Sequence, residues 1–161
     1  MKLRYVHEQD HAVARFVAAL IPHVGYRGFL NYRAIGVIDP RGELIAGLVY
    51  TNWNTMAGTI ELSAAALPQR HWLTRATIRL AFDYAFEKHG CQLVIMRVRA
   101  DNATLLRRLI DFGFTVSYVP RLYGRNIAGV ICTLTAEAWA VHPVNRKDRG
   151  VVVPLRRQEV A

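Results

Sequence analysis

Three side chains in this sequence could move protons: Glu61, Ser63 and Tyr123. Glu61 lies in Thr59–Leu67, an otherwise apolar, strand-like run. Desolvation there favours the protonated carboxyl, which suits a general base. An outward-facing strand carboxylate fits the same position, so position alone leaves both readings open. Ser63 is two residues further on and shares a strand face with Glu61. Tyr123 stands in a glycine-containing turn, and Ser63 and Tyr123 are alternative proton donors. A second chemistry is anion binding. Pro68-Gln69-Arg70-His71-Trp72-Leu73-Thr74 is a polar turn that opens a helix. A helix start presents unpaired N–H groups and partial positive charge, so phosphates bind there. Arg70, His71 and Arg75 add charge, and the Thr74 hydroxyl can bond an anion or cap the helix.

These residues need a frame, and the region from Thr59 to Phe114 supplies it. A strand over Thr59–Leu67 leads through the turn into a helix carrying Ile78, Leu80, Phe82, Tyr84 and Phe86, which stops at Lys88-His89-Gly90. This helix is apolar almost all round, which predicts burial against a sheet. A strand over Cys91–Val98 follows. Asn102 then precedes a short helix, Leu105 to Phe112, closed by Gly113. A strand–helix–strand crossover makes the two strands parallel neighbours. The binding place is then the gap beyond their carboxyl ends, where the helix begins.

Ahead of this unit, residues 3–6 form a short strand. Val13, Phe16, Val17 and Leu20 mark one face of a helix capped by Asp10 and ended by Pro22. Residues 23–33 mix Tyr26, Phe29 and Tyr32 with Arg27 and Arg33, a combination that stacks bases and pairs phosphates or that packs rings on a core. Ala34–Ile38 and Leu44–Tyr50 flank the turn Asp39-Pro40-Arg41-Gly42 and predict a hairpin. Thr51–Gly58 reads as a turn with Trp53 near its tip. Later strands fall at Thr115–Tyr118 and Gly129–Leu134, joined by a loop over Pro120–Asn126, and Thr135 caps a short turn through Trp139.

The totals bound the rest. At 161 residues the chain is read as one domain over 1–141 with a basic extension over 142–161, in which Val151–Val153 could add a strand. The net charge of +9 implies attraction to anions, nucleic acid among them. The two cysteines, Cys91 and Cys132, lie in apolar runs and read as buried reduced thiols. No Cys/His spacing fits zinc, and no signal-peptide core or membrane span is read, so a cytoplasmic protein is expected.

The order of elements resembles the GNAT N-acyltransferase superfamily. Asn102-Ala-Thr-Leu-Leu-Arg-Arg-Leu-Ile-Asp-Phe-Gly113-Phe114 is similar to that family's Asn followed one short helix later by Gly-Phe. Phe82-Asp-Tyr-Ala-Phe86 with Gly90 and Cys91 resembles the ribosomal-protein and protein N-terminus acetyltransferase branch, and also small acetyltransferase-like proteins encoded by phages, which would place it in a host cytoplasm. The resemblance covers roughly residues 34–134. It implies an α/β (α+β) fold: a mixed, mostly antiparallel sheet with one parallel strand pair splayed around a crossover helix. It implies acetyl-CoA, or another acyl-CoA, in the splay. Ala65, Ala66 and Leu67 would pair with the pantetheine, and the loop with Arg70, His71, Trp72, Leu73, Thr74 and Arg75 would cradle the pyrophosphate. Asn102 and Leu105 would lie near the thioester. The implied reaction is direct attack of an amine on the acyl group, and a homodimer is compatible with it. Two positions depart from the family. Trp72 and Thr74 stand where that loop has glycine, which permits close backbone approach. Leu109 stands where many members have a tyrosine acid. Two alternatives follow: base modification of nucleic acid, like the phage Mom-type branch, and a non-catalytic binding protein that kept the fold. The acceptor pocket is expected from residues 23–33, the Trp53 turn and Leu122–Arg125.

Overall fold

Short β-branched and aromatic runs make the strands, and runs with helical apolar spacing make the helices. The computed structural model describes residues 2–146; Val151–Val153 and most of the basic extension lie outside the described residues. In chain order the elements are β1 (Arg4–Val6), α1 (Asp10–Leu20), β2 (Arg33–Ile38), β3 (Leu44–Asn54) and β4 (Thr59–Ala66). Then come α2 (Arg75–Asp83), β5 (Leu93–Arg99), α3 (Ala103–Phe112), β6 (Thr115–Gly124), β7 (Ile127–Thr135) and α4 (Ala136–Ala140). The seven strands form one sheet in the order β1-β2-β3-β4-β5-β7-β6. Every neighbouring pair is antiparallel except β4 and β5, which run parallel around the crossover through α2.

Strand alternation divides the side chains between two layers. On one face α1 packs Val13, Ala14 and Val17 against Ala34 and Val49. Gly47 makes this approach possible: a Cβ there would lie 2.5 Å from Cγ2 of Val17. The opposite face carries Leu48, Leu62, Val94 and Val98 against Ala81, Phe82, Phe86, Leu109 and Trp139. Its centre is a ring cluster, with Phe82 at 5.0 Å from Trp139 and 5.4 Å from Phe112. Such pairs contribute about 0.5–1.5 kcal/mol each beyond their area. The buried Trp139 N–H donates to Asp83 Oδ1 at 3.1 Å, so the ring is polar-satisfied. Both cysteines are buried and unbridged.

Several boundaries differ from expectation. Asp10 is not the cap of α1 but its first residue; its Oδ1 accepts from the Ala34 N–H at 2.7 Å, because the start of β2 brings a donor within reach. β3 runs through Trp53 to Asn54, so Thr51–Asn54 is strand and not turn. The loop expected over Pro120–Asn126 is mostly strand too: β6 continues to Gly124 past an irregularity in its pairing after Val119. The central helix changes character after Asp83, with a wide turn over Tyr84–Lys88 in which His89 N–H donates to the Tyr84 carbonyl at 3.2 Å. Thr74, Asn102 and Thr135 cap their helices, each side chain accepting from the amide three residues on.

Candidate active site

The parallel pair holds register only at Thr59–Leu93, Ile60–Val94 and Glu61–Ile95. Beyond that point both strands continue, but apart. β4 stays paired with β3 as far as Ala66, and β5 stays paired with β7 as far as Arg99. The sheet therefore splits, and the β4 edge from Leu62 onward faces an opening. A cleft of about 680 Å³ occupies it on the α1 side, walled by Ser63–Ala66 and by Met96–Arg99. Leu20–His23, Pro68, Asp101, Asn102 and Leu105 complete its lining. A cavity of about 350 Å³ on the α2–α3 side shares Leu62, Ala64, Met96 and Leu105 with the cleft. The opening thus passes through the sheet. Alanines at 64, 65 and 66 keep its wall thin.

Of the proton-moving residues, Glu61 and Ser63 share the α1 face, as expected. Glu61 sits where the strands part, and its Oε1 accepts from Arg97 Nε at 3.1 Å and Nη2 at 2.8 Å. Tyr123 reaches the same region from β6. Arg121, at φ +63°, bends the strand there. Gly129 leaves the room: a Cβ on it would lie 2.8 Å from the Tyr123 ring. The Tyr123 hydroxyl is buried and has no hydrogen-bond partner. Burial pushes its phenol up, with the charges of Arg97, Glu61, Cys132 and Arg99 as smaller influences. The phenol therefore holds its proton at neutral pH. Its ring lies 4.4 Å from that of His23. Burial, helped by Arg99, holds the His23 imidazole below its ordinary value, so it is neutral at neutral pH.

The loop before α2 is placed differently from a set of free cations. Arg70 is engaged by Glu43 at 2.7 Å and by Asp39 at 3.7 Å. Arg75 donates to the carbonyls of Val144 and Arg146. Trp72 lines the smaller cavity and packs on the core, and its carbonyl accepts from Thr77 Oγ1 at 2.7 Å. His71 and Leu73 also line that cavity and are exposed. Gln69 adopts φ +59°, giving the loop its left-handed turn without glycine. Leu67 donates its N–H to Ile45 and ends the wall of the cleft. Asn102 Oδ1 accepts from Leu105 N–H at 3.3 Å while both residues line the cleft.

The expected acceptor pocket is divided. His23 lines the cleft with Tyr123 packed against its ring, whereas Trp53 stands with Asn31, Tyr32 and Arg33 at the other end of β4. Residues that sequence reasoning missed are Arg97, Arg99 and Asp101. The alternation of Arg97 and Arg99 in an apolar strand was a usable signal, since it puts two charges on one sheet face. His23 fell within the expected acceptor segment 23–33, as Tyr123 did within Leu122–Arg125, but the sequence assigns it no chemical role. Among the described residues, no group of His, Cys, Asp and Glu could hold a metal ion, and no helix is long and apolar enough to cross a membrane.

A seven-stranded, mostly antiparallel sheet with one splayed parallel pair defines the GNAT N-acyltransferase fold, and this chain has that fold. Among solved structures it is similar to spermidine/spermine N-acetyltransferase SpeG from Vibrio cholerae, at 16% identity and a TM-score of 0.67 over 86% of this chain and 94% of that one. A chimera of the Vibrio cholerae enzyme and hSSAT superposes with a TM-score of 0.70 at 17% identity, covering 87% and 99%. A dodecameric structure of the Vibrio cholerae enzyme gives 0.67 at 15% identity, covering 85% and 95%. No family model and no curated protein sequence matches the chain.

Proposed function

We propose that the protein is an acyl-CoA-dependent N-acyltransferase in which an amine attacks the acyl group directly. One observation carries this reading: β4 and β5 part after Glu61 and Ile95 and leave a strand edge facing a through-going cleft. A long, thin molecule with amide groups fits such an edge, because it can complete the β4 ladder as a strand would. In this reading Ala65 and Ala66 pair with the pantetheine arm of acetyl-CoA; Leu67, expected to join them, has its N–H taken by the Ile45 carbonyl. Backbone amides of Gln69, His71 and Leu73 take the pyrophosphate, since those of Arg70, Trp72 and Thr74 donate within the loop. Arg70 and Arg75, already engaged, shape the loop and do not themselves grip phosphate. Asn102 and Leu105 line the thioester end.

Bound acetyl-CoA supplies the acyl thioester and the leaving thiolate. The protein supplies the proton transfers. With the cofactor bound, neutral His23 would take the proton shed by the acceptor nitrogen. Tyr123, protonated, stacked on His23 and without an internal partner, would supply a proton for the leaving thiolate, the role for which Leu109 has no proton. Glu61 is held by Arg97 and acts as the alternative base or as the charge that orients the amine; Ser63 is the alternative donor. The acceptor end holds Glu61 and Asp101 against Arg97 and Arg99, in a chain of net charge +9, so a single amine suits it better than a polycation.

Calorimetry with acetyl-CoA, followed by thiol-release assays on amines and peptides, tests the proposal. Binding together with acceptor-dependent CoA release is expected. Absence of binding at high micromolar cofactor would leave a non-catalytic protein on this fold.

A further inference from the structure

At the closed end of the β4–β5 pair, rings enclose a cavity of about 450 Å³ on the α2 face. Tyr50 and Trp53 come from β3, Tyr84 and His89 from the end of the central helix, and Tyr32 and Arg33 from the entry to β2. The rings touch in sequence. Tyr50 lies 4.4 Å from Tyr84, Tyr84 lies 4.6 Å from His89, and His89 lies 4.7 Å from Trp53.

Two irregularities create this arrangement. In β3, Tyr50 pairs with Leu62 on the α2 face and Thr51 with Glu61 on the α1 face. Strict alternation would send Trp53 after Thr51, toward α1. Asn52, at φ +50°, shifts the pairing between Thr51 and Asn54 and carries Trp53 across to His89. The wide turn over Tyr84–Lys88 similarly resets the side-chain directions at the end of the helix. Bulges and wide helical turns are costly and cluster at functional places. Asn31, at φ +47°, borders the same cavity.

The polar groups point to one ligand chemistry. His89 Nε2 is buried with no hydrogen-bond partner. It is the group a ligand reaches by shifting Trp53, whose residue is 51% exposed. Burial, with Lys88 and Arg33 nearby, holds the imidazole below its ordinary value, so it is neutral. The Arg33 side chain is 74% exposed and lies 3.7 Å from Asp10 Oδ2; the Lys88 ammonium, which lines the adjoining cavity, stands 5.2 Å from the Tyr84 ring centre. Among the described residues lining the cavity none is a carboxylate; Glu8 and Asp10 line the adjoining one. Aromatic faces with cations at the rim suit a neutral flat base joined to an anionic phosphate.

We propose that this cavity is a second binding site, separate from the cleft, that takes a nucleobase with its phosphate. The base stacks on Trp53 and Tyr84 and hydrogen-bonds His89 Nε2. Arg33, exposed and at 3.7 Å only loosely held by Asp10, turns to pair the phosphate, and Lys88 approaches it from the adjoining cavity. The unit is either a free mononucleotide or one residue of a single strand. This assignment does not depend on the acyl-transfer reading.

Calorimetry on the full chain with AMP, GMP, CMP and UMP, with and without saturating CoA, tests it. At least one should bind and should still bind when CoA fills the cleft. Trp53→Ala should weaken that binding about tenfold or more, with Trp53→Phe recovering most of it. Arg33→Ala should weaken nucleotides and leave the matching nucleosides unaffected. A 5′-phosphorylated trinucleotide that binds tighter, with steep salt dependence, would identify a strand as the ligand; equal affinity would identify the free nucleotide. Silence from all four mononucleotides up to about 1 mM, abolition by CoA, or an unaffected Trp53→Ala would overturn the proposal.

Discussion

The cleft and the ring cavity sit at opposite ends of one parallel strand pair and are built by opposite means. At the cleft the sheet comes apart, and Ala64, Ala65 and Ala66 make room beside open backbone. At the ring cavity β4 and β5 stay in register, and the space is enclosed by large side chains sent there by a bulge in β3 and a wide turn. The first offers ladder hydrogen bonds to something long. The second offers faces to something flat. The non-glycine residues with left-handed backbone follow the same division: Gln69 and Arg121 shape the cleft end, and Asn31, Asn52 and Glu8 border the ring end.

That division can be broken one side at a time. The largest effect is expected at Tyr123. Tyr123→Phe should lower turnover about 100-fold, the range for loss of a general acid, with acetyl-CoA affinity little changed and the ring cavity untouched. Steady-state kinetics beside calorimetry checks this, and full turnover would return Tyr123 to a packing role. His23→Gln should cost about tenfold in turnover and remove a limb of the pH profile. The sign follows from its neutral form being the base. Because its folded value lies below 6.5, activity holds as pH falls past that value and is lost only below it. A wild-type profile flat to lower pH would exclude His23.

Asn52 tests the other end. A β-branched residue at left-handed φ costs roughly 1–2 kcal/mol, so Asn52→Val should lower stability by about that much while Asn52→Gly should not. Only the ring cavity should lose function; chemical denaturation and ligand titration of both variants separate the effects. The smallest change sharpens the cleft. Asn102→Ala removes a helix cap, about 1 kcal/mol, and Asn102→Asp keeps it. Weaker acetyl-CoA binding in Asn102→Ala at equal stability loss relative to a distant cap variant, Thr135→Ala, would assign Asn102 to the cofactor. Equal affinity would leave it a cap.

Much of the fold was legible because its signals are local. Thr74 and Asn102 announce helix starts, Gly113 a helix end, and the apolar runs around them the crossover. The split of β4 from β5 is not written locally; it was expected only through the resemblance, since a strand edge left unpaired looks like any strand in sequence. The ring cavity was hidden for a related reason. Asn52 inside β3 reads as turn chemistry, and the parity change it makes moves Trp53 to a face that alternation does not predict. Tyr123 was legible as a residue type near glycine, but its neighbour His23 is a hundred positions away.

One span of chain touches both ends. It leaves α1 at His23, on the rim of the cleft, and enters β2 through Asn31, Tyr32 and Arg33, on the rim of the ring cavity. Were a guest at one door to shift this strap, reciprocity would fix the exchange: whatever factor one guest imposed on its counterpart's affinity would be returned unchanged when the order of filling is reversed.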